Sequence, residues 1–150
     1  MFEFSPVTLE TIKEIGDWRY NGVVKSIYIT PYLESIRDKK NIKGPDGCDG
    51  FIANIDSQVA GLFEFYFEDD VMEIGVALNP TLVGKGLGKK FIREGLNFGI
   101  KKYNYMKDYI RLTVNEKNKS AIKVYESVGF NYFNKNGDLI EMRKDIKTTI

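Results

Sequence analysis

The alternation of apolar and polar positions divides the chain into short elements. Phe2 and Phe4 flank Glu3 and predict a strand over Phe2–Phe4. Thr8 is placed to cap a helix that runs through about Ile15. A second helix is read over Tyr32–Lys40. The run Gly44-Pro45-Asp46-Gly47-Cys48-Asp49-Gly50 is the strongest loop signal and separates this helical third from a strand-rich middle. Phe51–Ile55 and Val59–Phe67, joined through Asp56-Ser57-Gln58, predict a hairpin. Glu68-Asp69-Asp70 turns the chain into Val71–Leu78. There Met72, Ile74, Val76 and Leu78 share one face, and Val71, Glu73, Gly75 and Ala77 the other.

The second half continues the alternation. The glycine-rich turn Gly84–Gly88 leads into a helix over Lys89–Lys101, with Phe91, Ile92, Leu96 and Ile100 inward. Gly95 and Gly99 each cost that helix about 1 kcal/mol relative to Ala, which predicts close approach to a sheet or a ligand. Tyr109–Val114 alternates as a strand, and Lys119–Val128 is a helix closed by Gly129. Phe130–Asn134 and Leu139–Arg143 form a last hairpin around Asn136-Gly137, a type I′ signal. The order β-α-α-β-β-β-α-β-α-β-β is that of an α/β protein with a mixed (α+β) sheet. The 150 residues predict one domain, 1–150.

Composition narrows the chemistry. There is no histidine, which removes the commonest metal ligand and the usual general base. The single cysteine, Cys48, excludes an intramolecular disulfide and a zinc cluster made by one chain. No apolar run approaches the ~20 residues of a membrane span, and Met1-Phe2-Glu3-Phe4 lacks the basic-then-apolar order of a signal peptide. A cytoplasmic protein without a membrane partner is expected.

The formal net charge of +1 conceals a segregation. Residues 44–84 carry no Lys or Arg, and their acids are Asp46, Asp49, Asp56, Glu64, Glu68, Asp69, Asp70 and Glu73. The basic excess lies beyond residue 84, where lysines alternate with acids and no nucleic-acid-reading motif occurs, so nucleic acid is not an expected partner. A homodimer stays open.

The sharpest local feature is Val83-Gly84-Lys85-Gly86-Leu87-Gly88-Lys89-Lys90, between a strand and a helix. Successive glycines let backbone N–H groups converge, and the helix adds unpaired amides and its positive dipole end. Such a turn suits a pyrophosphate. It misses the P-loop, since neither Lys89 nor Lys90 is followed by Ser or Thr, and the dinucleotide fingerprint, since Lys89 stands at the last glycine position.

Together with a second motif, this turn resembles the GNAT superfamily of N-acetyltransferases. Gly86 and Gly88 match the glycines of that family's [Q/R]-x-x-G-x-[G/A] turn, and Val83 stands where Gln or Arg is usual. Asn118, Ala121, Tyr125, Gly129 and Phe130 match its N-x-x-A-x-x-x-Y-x-x-x-G-F pattern. The resemblance implies a central, mostly antiparallel sheet with one splayed parallel strand pair, flanked by helices. It implies acetyl-CoA as acyl donor, held at the pyrophosphate by backbone of Val83, Gly84, Lys85, Gly86, Leu87, Gly88 and Lys89. The pantetheine arm would pair with backbone of Ile74, Val76 and Leu78, and Asn118 would contact the CoA arm. Tyr125 would act as general acid on the leaving sulfur.

The reaction so implied is direct attack of an amine on a thioester, with no metal and no enzyme nucleophile. An alkyl ammonium with a pKa near ~10 must first lose a proton. Glu73 is the favoured base and Glu64, on the adjacent strand with Tyr66, the second choice. A strand amide near Val76 would stabilise the oxyanion. Trp18, Arg19, Tyr20, Tyr28 and Tyr32 are candidates for an acceptor pocket, and the acidic middle favours a cationic small-molecule or peptide amine. The alternative is a catalytically silent CoA-binding module on the same fold.

Overall fold

The structure, a computed structural model, describes residues 1–22, 24–37 and 42–146. The elements are β1 (Glu3–Pro6), α1 (Leu9–Gly16), α2 (Thr30–Arg37), β2 (Asp49–Ile55), β3 (Gln58–Glu68), β4 (Val71–Leu78), α3 (Gly88–Lys102), β5 (Tyr109–Asn115), α4 (Lys119–Ser127), β6 (Asn131–Asn136) and β7 (Leu139–Asp145). Their order is the one the sequence predicts; the last residues of the expected second helix, 38–40, lie outside the described residues. Thr8 caps α1 as expected, with Thr11 N donating to its hydroxyl and Thr8 N donating to Thr11 Oγ1.

The strands form one sheet in the order β1-β2-β3-β4-β5-β7-β6. All pairs are antiparallel except β4 and β5. Two hairpins turn on two acidic or hydroxyl residues in the left-handed region: Asp56 and Ser57 (φ 48° and 64°), and Asp69 and Asp70 (φ 51° and 64°), as a type I′ turn requires. The last hairpin departs from expectation. Asn136 pairs with Leu139, so the turn is Gly137-Asp138. Of these two only Gly137 has positive φ, 62°, which is the type II′ pattern rather than I′.

The sheet's two faces differ in chemistry. On one, Phe63 and Phe65 meet Phe91 and Phe98 of α3 in edge-on and tilted contacts, with centroids 5.5 Å (Phe63–Phe91) and 6.3 Å (Phe65–Phe98) apart. Each buried phenylalanine contributes about 2–3 kcal/mol. Gly95 and Gly99 are what permits this contact. A Cβ on Gly95 would lie 2.0 Å from Phe63 Cε2, and one on Gly99 2.2 Å from Phe65 Cε1. The glycines therefore serve approach to the sheet, not to a ligand. On the other face Ile12 and Ile15 of α1, Trp18 just after it and Tyr32 of α2 are buried against Ile52 and Leu62.

The parallel pairing of β4 with β5 is short. It consists of Glu73 with Arg111 and Ile74 with Leu112. Beyond these, β4 continues to Leu78 paired with β3, and β5 continues to Asn115 paired with β7. The sheet therefore opens between the two strands at Gly75, the splayed parallel pair that the resemblance implies. No helix among the described residues is long and apolar enough to cross a membrane.

Candidate active site

Cross-strand register puts a row of polar side chains on the α1/α2 face. Tyr66 is paired with Glu73, Glu73 with Arg111, and Arg111 with Arg143. Glu64 is paired with Gly75, and on the far side of the opening Thr113 with Glu141. Residues so paired project to one face.

The two carboxylates nearest the opening are held differently. Glu73 Oε1 lies 2.9 Å from Arg111 Nε, and the same guanidinium reaches Glu68 Oε2 at 3.3 Å. Burial raises the Glu73 pKa, Arg111 lowers it, and Glu141 and Glu68 push it up again; the net direction is upward. Glu64 has no cation within ion-pair distance among the described residues. Its donors are neutral: Tyr32 O–H to Oε2 at 2.5 Å, Tyr66 O–H to Oε1 at 3.1 Å and Cys48 S–H to Oε2 at 3.8 Å. Burial outweighs these donors, and the Glu64 pKa is also raised. Burial and the adjacent carboxylate push the Cys48 thiol up to about 12, so it is no thiolate nucleophile. A cavity of about 320 Å³, bordered by Lys43, Asp49, Tyr66, Glu68, Glu73 and Arg111, opens beside this cluster.

At the other end of β4 the chain is locked before it turns. Asn79 is buried, and its Nδ2 donates to Val59 O at 2.9 Å. Its Oδ1 accepts from Thr81 N at 3.0 Å and from Thr81 Oγ1 at 2.9 Å. Tyr20 reaches across from the segment after α1 and donates to Leu78 O at 2.5 Å. The turn that follows is exposed from Val83 to Gly86. Gly84 and Gly86 sit at φ +80° and +77°, and a Cβ on either would meet no atom within 4 Å. What these glycines provide is backbone conformation and open space above it. No side chain caps the start of α3 at Leu87, so its first amides remain available to an anion. Lys85, Lys89 and Lys90 are exposed around them. These residues fit a pyrophosphate.

The helix α4 abuts this turn, since a Cβ on Gly88 would lie 3.3 Å from Val124 Cγ1. Tyr125 follows, half-buried, its ring edge-on to Phe130 at 6.1 Å. Burial pushes its phenol up to about 12, so it stays protonated at neutral pH. Asn118 caps α4, with Ala121 N donating to Oδ1 at 3.4 Å.

The fold thus gathers the sequence-derived residues into two groups. The Gly84–Lys89 turn meets α4, the helix of Asn118 and Tyr125, at Gly88 and Val124, and Glu64, Tyr66 and Glu73 stand on adjacent strands. Ile74 is buried on the α3 side, and the backbone of Val76 and Leu78 borders the opening. Of the candidate pocket aromatics, Trp18 and Tyr32 are buried in the core, and Tyr28 is exposed. Arg111, Glu141 and Asn79 escaped sequence reasoning. Asn79 carried a local signal, an Asn before Pro80 at a strand end; the other two depend on pairing across the sheet.

The sequence model of the acetyltransferase (GNAT) family matches residues 15–130. No curated protein matches the chain. Among solved structures, a Campylobacter jejuni N-acetyltransferase, PseH, in complex with acetyl coenzyme A superposes with a TM-score of 0.74 at 18% identity, over 98% of this chain and 100% of that one. Spermidine N-acetyltransferase from Vibrio cholerae in complex with CoA and spermine gives 0.71 at 19%, over 96% and 95%. The ribosomal-protein-S18-alanine N-acetyltransferase of Escherichia coli gives 0.67 at 16%, over 99% and 96%. At these identities the likeness is one of fold.

Proposed function

Because the chain belongs to the GNAT acetyltransferase family, we propose that it moves the acetyl group of acetyl-CoA to an amine acceptor by direct attack in a ternary complex. One observation carries this reading. The opening between β4 and β5 has carboxylates at its mouth, Glu64 and Glu73, and a glycine turn with open amides beyond the end of β4. In this reading residues 1–150 act as one cytoplasmic catalytic domain.

The cosubstrate supplies an activated acyl thioester; the chain supplies placement and proton transfer. Backbone of Val83, Gly84, Lys85, Gly86, Leu87, Gly88 and Lys89 holds the pyrophosphate, with the exposed lysines adding charge. Backbone of Ile74, at the last pair with β5, and of Val76 and Leu78, which β5 leaves unpaired, pairs with the pantetheine as an added strand does. An amide near Val76 donates to the developing oxyanion. Asn118 uses Oδ1 to cap α4 and offers Nδ2 to the CoA arm. Tyr125, protonated at neutral pH, donates to the leaving sulfur. A carboxylate on the α1/α2 face relieves the acceptor of its proton: Glu73, the first choice from the sequence, or Glu64. The acidic mouth favours a cationic acceptor, whether a small molecule or a peptide. The V. cholerae neighbour is a spermidine enzyme and the E. coli neighbour a protein-alanine enzyme; both classes belong in the acceptor panel.

Thiol release from acetyl-CoA with an amine panel tests the proposal. The wild type releases thiol with at least one amine, and Tyr125→Phe and Glu73→Gln each reduce the rate. One observation favours a second reading, a CoA-binding module without turnover: Val83, more than half exposed, stands at the position that usually carries Gln or Arg. CoA binding with no release on any amine supports that reading and sinks the first.

A further inference from the structure

Glu64 and Glu73 share a face but not a position relative to the opening of the sheet. Glu73 is paired with Arg111 inside the closed part of the parallel pair. Gly75 is the first β4 residue past the last pair, Ile74 with Leu112, and Glu64 stands directly opposite it. A Cβ on Gly75 would lie 3.0 Å from Glu64 Oε1 and 3.4 Å from Tyr66 Cε1. With glycine at 75, that space is a window in the face of β4. It is bordered by a carboxylate oxygen and a tyrosine ring edge, where the strands part.

The groups that face Glu64 leave it one role to fill. Tyr32 from α2, Cys48 from the segment before β2 and Tyr66 from β3 are neutral donors, and Gly75 of β4 brings no titratable group. A carboxylate has about four lone-pair positions, and these donors use three. The charge of Glu64 has no counter-ion among the described residues, whereas the charge of Glu73 is shared with Arg111.

Resting on the N-acetyl transfer reading, we infer that Glu64, reached through the Gly75 window, is the proton acceptor for the incoming amine, and that Glu73 with Arg111 is a positioning pair. The acceptor enters as an ammonium ion, which the carboxylate and the Tyr66 ring both attract. One N–H bond breaks and its proton passes to Glu64 Oε1, leaving a neutral amine and a carboxylic acid. The nitrogen lone pair then forms the C–N bond as the carbonyl π pair moves onto oxygen, and the return of that pair breaks the C–S bond. The Tyr125 proton goes to sulfur, and the surplus proton on nitrogen restores the phenol. Glu64 returns its proton to solvent after product leaves. The raised pKa of Glu64 suits this duty, since a base works best near the operating pH.

The test is the pH profile of kcat/KM for the best amine of the panel, in wild type, Glu64→Gln, Glu73→Gln and Gly75→Ala, with CoA affinity measured on each. Glu64→Gln should lose about 10²-fold or more at neutral pH, replace the wild-type acidic limb with one that rises only as the amine itself deprotonates in solution, and keep its CoA affinity. Glu73→Gln should keep the acidic limb and raise KM more than it lowers kcat. Gly75→Ala should lower kcat/KM although every titratable group is retained. If Glu64→Gln does not fold, Glu64→Asp decides, with the limb kept and the rate lowered. An intact limb in Glu64→Gln, or its loss in Glu73→Gln instead, overturns the inference while leaving N-acetyl transfer standing. A wild type inactive on every amine overturns the transfer reading itself, and this inference with it.

Discussion

The two faces of one sheet are built for opposite ends. On the α3 face, phenylalanine rings meet the backbone of a helix whose side chains have been reduced to hydrogen at Gly95 and Gly99. On the α1/α2 face, the same strands carry Glu64, Tyr66, Glu73 and Arg111, and the glycine at 75 leaves room above a carboxylate. Glycine removes side-chain bulk in both places, for packing in one and for access in the other. The difference is visible in what each would contact: aromatic carbon on one face, a carboxylate oxygen on the other.

Substitution should separate the faces. The largest effect belongs to the packed face: Gly95→Ala forces Phe63 off its ring position and should cost about 3 kcal/mol, read as a fall in Tm of about 10 °C. Gly75→Ala should change Tm by less than about 3 °C and act on rate. The reverse pattern would break the comparison. Asn79→Ala, which strips three hydrogen bonds at the end of β4, should cost about 2 kcal/mol and weaken CoA binding by misplacing the turn after it. Gly86→Ala should cost about 1 kcal/mol for a left-handed φ while lowering CoA affinity.

The smallest effect is one of pH. The folded state raises the Glu64 pKa, so the folded protein binds that proton more tightly than the unfolded chain. Its contribution is full below the unfolded value near 4.5 and is lost as pH rises through the folded pKa. Gln at 64 does not titrate. Thermal melts of wild type and Glu64→Gln should therefore shift in favour of the variant as pH rises above the unfolded value; a constant difference would mean that Glu64 is not perturbed.

The two faces were also unequally legible in sequence. The packed face follows from local periodicity: the 3.6-residue spacing of Phe91, Ile92, Leu96 and Ile100, and the alternation of Met72, Ile74, Val76 and Leu78, each fix an inward side without reference to other elements. The glycine turn and the Tyr125 motif are contiguous, so they too could be read. The polar face is assembled from register. That Glu64 sits opposite Gly75 requires the Asp69-Asp70 turn to hold two residues, and that Glu73 meets Arg111 requires a parallel crossover through α3. Neither is encoded in a local pattern. The last turn shows the same limit at short range. Asn136-Gly137 is a strong I′ pair, but the β6–β7 register consumes Asn136 as a strand residue and moves the turn by one.

Transfer itself is best tested by incubating the protein with isotope-labelled acetyl-CoA and the amine panel, then weighing the amines by mass spectrometry. One labelled acetyl group should appear on an amine nitrogen with the wild type and be strongly reduced by Tyr125→Phe and Glu64→Gln. CoA bound to the protein with no label on any amine would contradict it.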